Sequence, residues 1–204
     1  YEKSKSDYKL DERQTDTLEK AKRYGIEMLA IMTGYNKLYC QNAKYSGIPD
    51  NSVYDETSGA TYVEAYKNYV SSFINEPIVK NTVSMIEVIN EPLGVIKDGN
   101  TTDYPMSEQI PKYVDAGGAY SNAVKAAYAA AQENDSPIKV GAFSAFRLGY
   151  QADYFIDGAM NEMDKQYYDA FTIHDYKERG FDGDPEPGFS PRMGQNWFPF
   201  LDGA

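Results

Sequence analysis

The sequence predicts an α/β fold built on a parallel β-sheet, and three observations support this class. Four short apolar runs alternate along the chain with four stretches of helical spacing. Each run is nearly continuous in its apolar residues, which is typical of strands that are buried on both faces. The chain of 204 residues, 42% of them hydrophobic, is long enough to bury a core. We therefore expect one domain over residues 1–204 and no separate second domain.

The first half of the chain supplies two helices, two strands and a loop. Residues 11–24 predict a helix that a glycine ends, and the apolar run over 26–32 predicts the first strand. Residues 35–58 follow neither period, so a long irregular loop is expected there. Tyrosine, alanine and valine at helical spacing predict a helix over 61–74, and the apolar run over 83–89 predicts the second strand.

The second half repeats this alternation. Residues 113–134 are rich in alanine and predict a long helix. Pro137 then precedes an apolar run that predicts a strand over 138–143. A weaker helical pattern over 150–163 is followed by the fourth strand, over 168–174. Helices between successive strands are the usual connections of a parallel sheet.

A parallel sheet of this kind belongs either to a doubly wound fold or to a (β/α)8 barrel. The chain contains neither Gly-x-Gly-x-x-Gly nor Gly-x-x-x-x-Gly-Lys-Ser/Thr, so the nucleotide-binding versions of the doubly wound fold lose their main support. We predict a (β/α)8 TIM barrel of which this chain carries four strands and their helices, adjacent in chain order. Half a barrel has open sheet edges, and a missing half or self-association is expected to cover them. Apolar surface is expected to meet water at four positions: Ile31, Ile89, Phe143 and Ile173.

Composition excludes several classes of function. With 31 acidic and 20 basic side chains the formal net charge is −11, which argues against a nucleic-acid surface. No apolar segment is long enough to span a membrane. Cys40 is the single cysteine, so no internal disulfide is possible. The acidic stretch over 182–186 lacks the spacing of a calcium loop, and we assign no metal.

Side chains that can carry chemistry follow the strands, where the catalytic residues of a barrel lie. Asn90-Glu91-Pro92 follows the second strand, and His174-Asp175-Tyr176, which contains the only histidine, ends the fourth. A carboxyl, an amide, an imidazole and a phenol are thus expected at one edge of the sheet. Asn75-Glu76-Pro77 repeats the first motif at the end of a helix, where we expect its proline to act only as a helix terminator.

Four motifs, in order, resemble those of family 5 glycoside hydrolases, which are retaining (β/α)8 barrels, and most closely their exo-β-1,3-glucanase branch. Residues 85–94, which end in Asn-Glu-Pro-Leu-Gly, resemble the motif at the fourth strand of that family. The other three motifs are Gln41-Asn42 with Ser46-Gly47 after strand three, Ser144-Ala145-Phe146 with Gly149-Tyr150 after strand five, and His174 with Tyr176 after strand six. The resemblance covers about residues 11–180 and implies that this chain carries strands three to six of the barrel.

The resemblance also implies roles for five residues. Glu91 would be the general acid/base, and Asn90 would hydrogen-bond the 2-hydroxyl of the sugar. His174 and Tyr176 would orient the nucleophile and line the subsite where the bond breaks, and Asn42 would contact the substrate. Retaining hydrolysis needs a second carboxylate about 5–5.5 Å away. In the family this is a glutamate after strand seven, so we expect it beyond the C-terminus of this chain, which alone is then expected to be inactive.

A second hypothesis is a non-catalytic carbohydrate-binding or structural protein built on a degenerate barrel. Thr33 stands where the third strand of the family carries a histidine, and this hypothesis accounts for that departure and for the missing nucleophile. If the chain were active alone, its nucleophile would be one of the acidic residues near the C-terminus: Glu178, Asp182, Asp184, Glu186 and Asp202.

The expected substrate is a β-glucan, with no cofactor. Nineteen tyrosines provide ring faces with polar tips that suit sugars. Residues 1–9 lack the hydrophobic segment of a signal peptide. Two glycosylation sequons, which begin at Asn100 and Asn134, nevertheless favour an extracellular or cell-wall location.

Overall fold

The computed structural model describes residues 8–45, 47–92, 106–146, 150–163 and 165–174, and its main feature is a sheet of four parallel strands. These strands are β1 (Met28–Met32), β4 (Val83–Val88), β5 (Lys139–Phe146) and β6 (Ala170–His174). They lie side by side in the order β1-β4-β5-β6, and every neighbouring pair is parallel. The predicted α/β class, with its strands adjacent in chain order, is confirmed.

Helices form a layer on one face of this sheet. They are α1 (Glu12–Arg23), α2 (Tyr62–Asn75), α3 (Pro77–Lys80), α4 (Met106–Glu133) and α5 (Tyr150–Glu162), with a 3-10 turn at Lys165–Tyr167. Helix α4 packs between α2 and α5 and against β4 and β5. Its alanines at 123, 127 and 130 are fully buried in the main core, and such small side chains let the helix approach the sheet closely. None of the described helices is long and apolar enough to cross a membrane.

Local sequence explains where two of the helices begin. Asp11 and Gln14 form a reciprocal capping box at the start of α1, and Thr61 and Glu64 form another at the start of α2. Helix α2 ends at Asn75, and Pro77 is the first residue of α3. The first Asn-Glu-Pro motif therefore terminates a helix, as predicted.

Two element predictions were wrong. The expected loop over 35–58 contains β2 (Val53–Asp55), which pairs antiparallel with β3 (Ala60–Thr61); strands this short leave no clear period in the sequence. Helix α4 begins at Met106 rather than at 113 and contains Pro111. The proline removes one backbone hydrogen bond, but the helix continues because its later turns are buried against the sheet.

No described helix covers the other face of the sheet. Leu29 and Ile31 are 46% and 44% exposed, and they share this face with Met85 and Glu87, their partners in the parallel register. The predicted exposure of Ile31 is thus observed.

That prediction was wrong for two of the other apolar positions. Ile89 is 3% and Phe143 is 1% exposed, while Ile173 is half-buried. Phe143 is buried because it packs between Tyr120 of α4 and Phe171 of β6. Its side chain belongs to the core under the helices and not to the open face.

Candidate functional site

Four polar side chains meet at the carboxyl edge of the sheet. Glu87 lies in β4, Glu91 follows that strand, Ser144 lies in β5, and His174 is the last residue of β6. Strand order explains why they share one edge, because β4, β5 and β6 are neighbours and run in the same direction. We call these residues the carboxyl-edge cluster.

His174 joins the two carboxylates of the cluster. Its Nδ1 lies 3.1 Å from Oε1 of Glu91, and its Nε2 lies 3.1 Å from Oε1 of Glu87. The Glu87 side chain is only 3% exposed, whereas the side chains of Glu91 and His174 are 25% and 20% exposed. Glu91 and His174 can therefore meet a ligand from solvent, and Glu87 lies beneath them.

Ser144 connects the strands behind this pair. Its Oγ donates to Oε1 of Glu87 at 2.9 Å and accepts the backbone N–H of Glu91 at 3.1 Å. Its own N–H donates to Oγ1 of Thr172 in β6 at 3.0 Å. Since Ser144 is completely buried, its hydroxyl positions the carboxylates and does not itself meet a substrate.

The backbone around the cluster is strained. Four residues without a glycine's freedom have positive φ here: Ile89 at 61°, Glu91 at 46°, Phe143 at 82° and Ser144 at 41°. The register of β5 against β6 also shifts between residues 142 and 145, which is the mark of a bulge. Each such conformation costs on the order of 1–3 kcal/mol, and such strain is concentrated at functional sites.

Electrostatics favour the charged form of His174. Its burial alone would lower the pKa, but the hydrogen bond to Glu91 and the negative charge of Glu87 outweigh that effect, so its pKa lies above the ordinary value of 6.5. The two neighbouring carboxyl groups therefore favour the protonated ring over the neutral one.

The structure brings together some of the five predicted site residues and not others. Glu91 and His174 are in contact, and Asn90 is exposed beside Glu91. Asn42 instead donates its amide to the carbonyl of Val53 in β2, at 3.3 Å, which ties it to the hairpin rather than to the cluster. Tyr176 lies outside the described residues, as do the alternative nucleophiles between 178 and 202.

The two Asn-Glu-Pro motifs occupy different surroundings. Glu76 lines a cavity of about 400 Å³ between α1, α2 and β1, together with Leu10 and Phe73. Glu91 stands at the carboxyl edge of the sheet and bonds His174. Glu76 is therefore a natural control for any experiment on Glu91.

Sequence reasoning missed Glu87 and Ser144 as members of the site. A signal was present for Glu87, since it is a charged residue inside the apolar run over 85–89, and buried charges need partners. Ser144 begins one of the four motifs, but its bonds to the other cluster residues could not be predicted, because they depend on the shifted register of β5.

Tyrosines play a more structural part than composition suggested. A second cavity, of about 390 Å³, is lined by six of them, at positions 8, 35, 39, 62, 66 and 69. The hydroxyl of Tyr66 donates to the carbonyl of Met32 at 2.9 Å, that of Tyr8 to Ala65 at 3.0 Å, and that of Tyr62 to Gly34. Thr33 borders this cavity, and its Oγ1 accepts the N–H of Tyr35.

In the part of the chain that the structure describes, no group of three or more His, Cys, Asp or Glu side chains has an arrangement that could hold a metal ion. Among known proteins, no family model, no curated protein and no solved structure matches this chain. Its function must therefore be inferred from the chemistry of the carboxyl-edge cluster.

Proposed function

We propose that this chain forms the middle of a (β/α)8 barrel and that the barrel is a retaining β-glycoside hydrolase of the family 5 type, acting on a β-1,3-glucan-like polysaccharide outside the cell or in its wall. Glu91 is the general acid/base of the proposal. The observation that carries it is the partly exposed carboxyl of Glu91, held 3.1 Å from His174 at the carboxyl edge of a parallel sheet.

Sheet topology supports the barrel. The four strands follow one another in chain order with no reversal, whereas a doubly wound sheet changes direction at a switch point. The described helices cover one face only, and Leu29 and Ile31 are exposed on the other. That face corresponds to the inside of the barrel, where side chains from further strands would pack.

The chemistry of Glu91 suits glycoside hydrolysis. In such a reaction one carboxyl gives its proton to the leaving oxygen and later takes a proton from the attacking water. The hydrogen bond from His174 fixes one oxygen of that carboxyl, which orients the group for proton transfer. Asn90, which is exposed beside Glu91, would bond a sugar hydroxyl in this proposal, and Tyr176 would supply a further sugar contact.

The second carboxylate of the reaction must come from outside the described residues. Glu87 is the other carboxylate of the cluster, but its side chain is 3% exposed and its Oε1 already accepts from Ser144 and His174. A nucleophile has to reach the anomeric carbon, and a carboxylate so enclosed does not.

Replacing Glu91 by glutamine in the complete polypeptide that contains this chain tests the proposal. Hydrolysis of β-1,3-glucan should fall by about 10²–10⁴-fold, the usual loss without general acid catalysis. An aryl β-glucoside with a good leaving group should lose less, because it needs little protonation. With Glu91→Ala, added azide should restore turnover of that substrate and yield a glycosyl azide of retained configuration.

Glu76→Gln is the matched control, because it changes the same residue type in the same motif and should leave both rates unchanged. Unaltered glucan hydrolysis in Glu91→Gln would remove the assignment. If the unaltered protein binds the glucan but hydrolyses neither substrate, the non-catalytic carbohydrate-binding alternative is correct instead.

A further inference from the structure

Glu87 is the most deeply buried charged group of the carboxyl-edge cluster. Its side chain is 3% exposed, and an ionised carboxylate at such a place requires hydrogen-bond donors. The structure gives it two, Oγ of Ser144 at 2.9 Å and Nε2 of His174 at 3.1 Å. Any distribution of protons in the cluster therefore has to supply hydrogen-bond donors to the Glu87 carboxylate.

With both carboxylates ionised, a count of protons on His174 leaves one arrangement that does so. An ionised carboxylate only accepts hydrogen bonds, and a neutral imidazole has one N–H and one bare nitrogen. Since Nδ1 faces Glu91 and Nε2 faces Glu87, each at 3.1 Å, a neutral ring would turn a lone pair toward one carboxylate. A doubly protonated ring donates to both.

The hydroxyl of Ser144 offers no better alternative. If it donated to a bare Nε2, which lies 3.2 Å from Oγ, Glu87 would lose both of its donors at once. With the ring charged, the hydroxyl donates to Glu87 while its oxygen accepts the N–H of Glu91, and all three groups are satisfied.

We propose that Glu87 is a positioning residue that keeps His174 doubly protonated, so that the imidazolium holds the Glu91 carboxyl in a fixed orientation. The consequence for catalysis rests on the proposed function, but the proton state of His174 does not. With Glu91 ionised the trio then carries a net charge of −1 rather than −2, because the imidazolium offsets one of the two carboxylates. When Glu91 takes up the proton that it gives to the leaving oxygen in the proposed reaction, the trio becomes neutral.

Other described groups around His174 do not compete with Glu87. Among the residues that the structure describes, the charged groups that face the ring are Glu87 in β4 and Glu91 after it. Ser144 of β5, whose Oγ lies 3.2 Å from Nε2, is uncharged, and so is Thr172 of β6, which bonds Ser144. The direction of the His174 pKa, which is raised, agrees with this arrangement.

The chain has one histidine, so its side-chain nitrogens give one set of signals in the NMR spectrum of the 15N-labelled full chain. Near pH 7 both ring nitrogens should carry a proton, and the titration midpoint should lie above 6.5. Glu87→Gln keeps the shape but removes the charge, and should lower the midpoint by about one pH unit or more, as the loss of a neighbouring opposite charge does. Glu76→Gln, the control, should leave it unchanged.

A neutral ring near pH 7 in the unaltered chain would overturn the proposal, as would an unchanged midpoint in Glu87→Gln. If Glu87→Gln does not fold, Ser144→Ala provides the second test. That variant leaves His174 as the only one of the two donors to Glu87, so the midpoint should stay raised or rise further. A fall to the ordinary value would contradict the proposal.

Activity separates this inference from the proposed function. In an active complete protein, Glu87→Gln should move the alkaline limb of the pH profile of kcat/KM to lower pH while the rate at the optimum changes less. A raised histidine midpoint in a protein without glycosidase activity would sink the proposed function and leave the role of Glu87 intact. An active enzyme with a neutral His174 would contradict the proposed role of Glu87 and leave the proposed function intact.

Discussion

Replacing Gly117 of α4 by alanine should destabilise the protein, whereas the same change at the adjacent Gly118 should stabilise it. The two positions differ in what a new methyl group would meet. At Gly117 it would overlap the carbonyl oxygen of Phe155 in α5 and lie 2.8 Å from the backbone nitrogen of Ala159. At Gly118 the nearest atom is Cγ of Glu162, at 3.5 Å, which is an ordinary contact with a flexible side chain.

The expected magnitudes follow from those contacts. Alanine in place of glycine inside a helix gains roughly 0.5–1 kcal/mol at either position. At Gly117 the obstacle is backbone, which cannot rotate away, so α4 and α5 must separate. Overpacking of this kind costs about 1–3 kcal/mol, and the overlap suggests the upper end. We expect a net loss of about 2 kcal/mol in the free energy of unfolding for Gly117→Ala and a gain of up to about 1 kcal/mol for Gly118→Ala.

Urea unfolding followed by circular dichroism measures both effects, with equal denaturant dependence in each variant as the condition for comparing midpoints. Gly158→Ala is a second test from the other helix, because its methyl would overlap the carbonyl of Val114. If Gly117→Ala proves as stable as the unaltered protein, the close crossing of α4 and α5 is wrong.

Two further predictions concern a buried hydroxyl and pH. The hydroxyl of Tyr120 donates to the carbonyl of Val88 and accepts the N–H of Phe143 at 2.7 Å, so Tyr120→Phe should cost about 1–3 kcal/mol in unfolding free energy by leaving a buried N–H unpaired. Tyr69→Phe, whose hydroxyl makes no hydrogen bond within the described residues, should change the same quantity by less than about 0.5 kcal/mol. Because the His174 pKa is raised above 6.5, its contribution to stability is complete below about pH 6.5 and is lost as pH rises through the raised value. Unfolding free energies between pH 6 and 9 should therefore decline, and a His174→Gln variant that keeps the same decline would contradict this assignment.

The sheet could be predicted because its determinants are local. Each strand is an apolar run long enough to recognise, and alternation with helices fixes parallel pairing in chain order. The elements that were predicted wrongly have only weak signals in their local sequence. The β2–β3 hairpin is only a few residues long, and the start of α4 runs through Pro111, where burial of the helix outweighs local preference.

Part of the candidate site could be predicted from the sequence for the same reason. Glu91 and His174 could be singled out because each stands at the end of a predicted strand. The sequence could not predict that the imidazole of His174 contacts Glu91 on one side and Glu87 on the other. These contacts depend on the register between β4, β5 and β6 and on the bulge at Ser144. Such long-range register leaves no trace in a single sequence.

The backbone N–H of Glu91 donates to Oγ of Ser144, so the exchange of this one amide proton reports on the integrity of the carboxyl-edge cluster. That proton belongs to a residue with φ of +46°, in a turn where no helix or strand ladder protects it. Its exchange with deuterated water should therefore be slow only while β4 and β5 are locked together at their ends. Amide exchange at position 91 would then report the opening of the site separately from global unfolding. Slow exchange there that disappears in Ser144→Ala, with the core amides of Ile86 and Val140 unaffected, would mark the carboxyl edge as a unit that opens by itself.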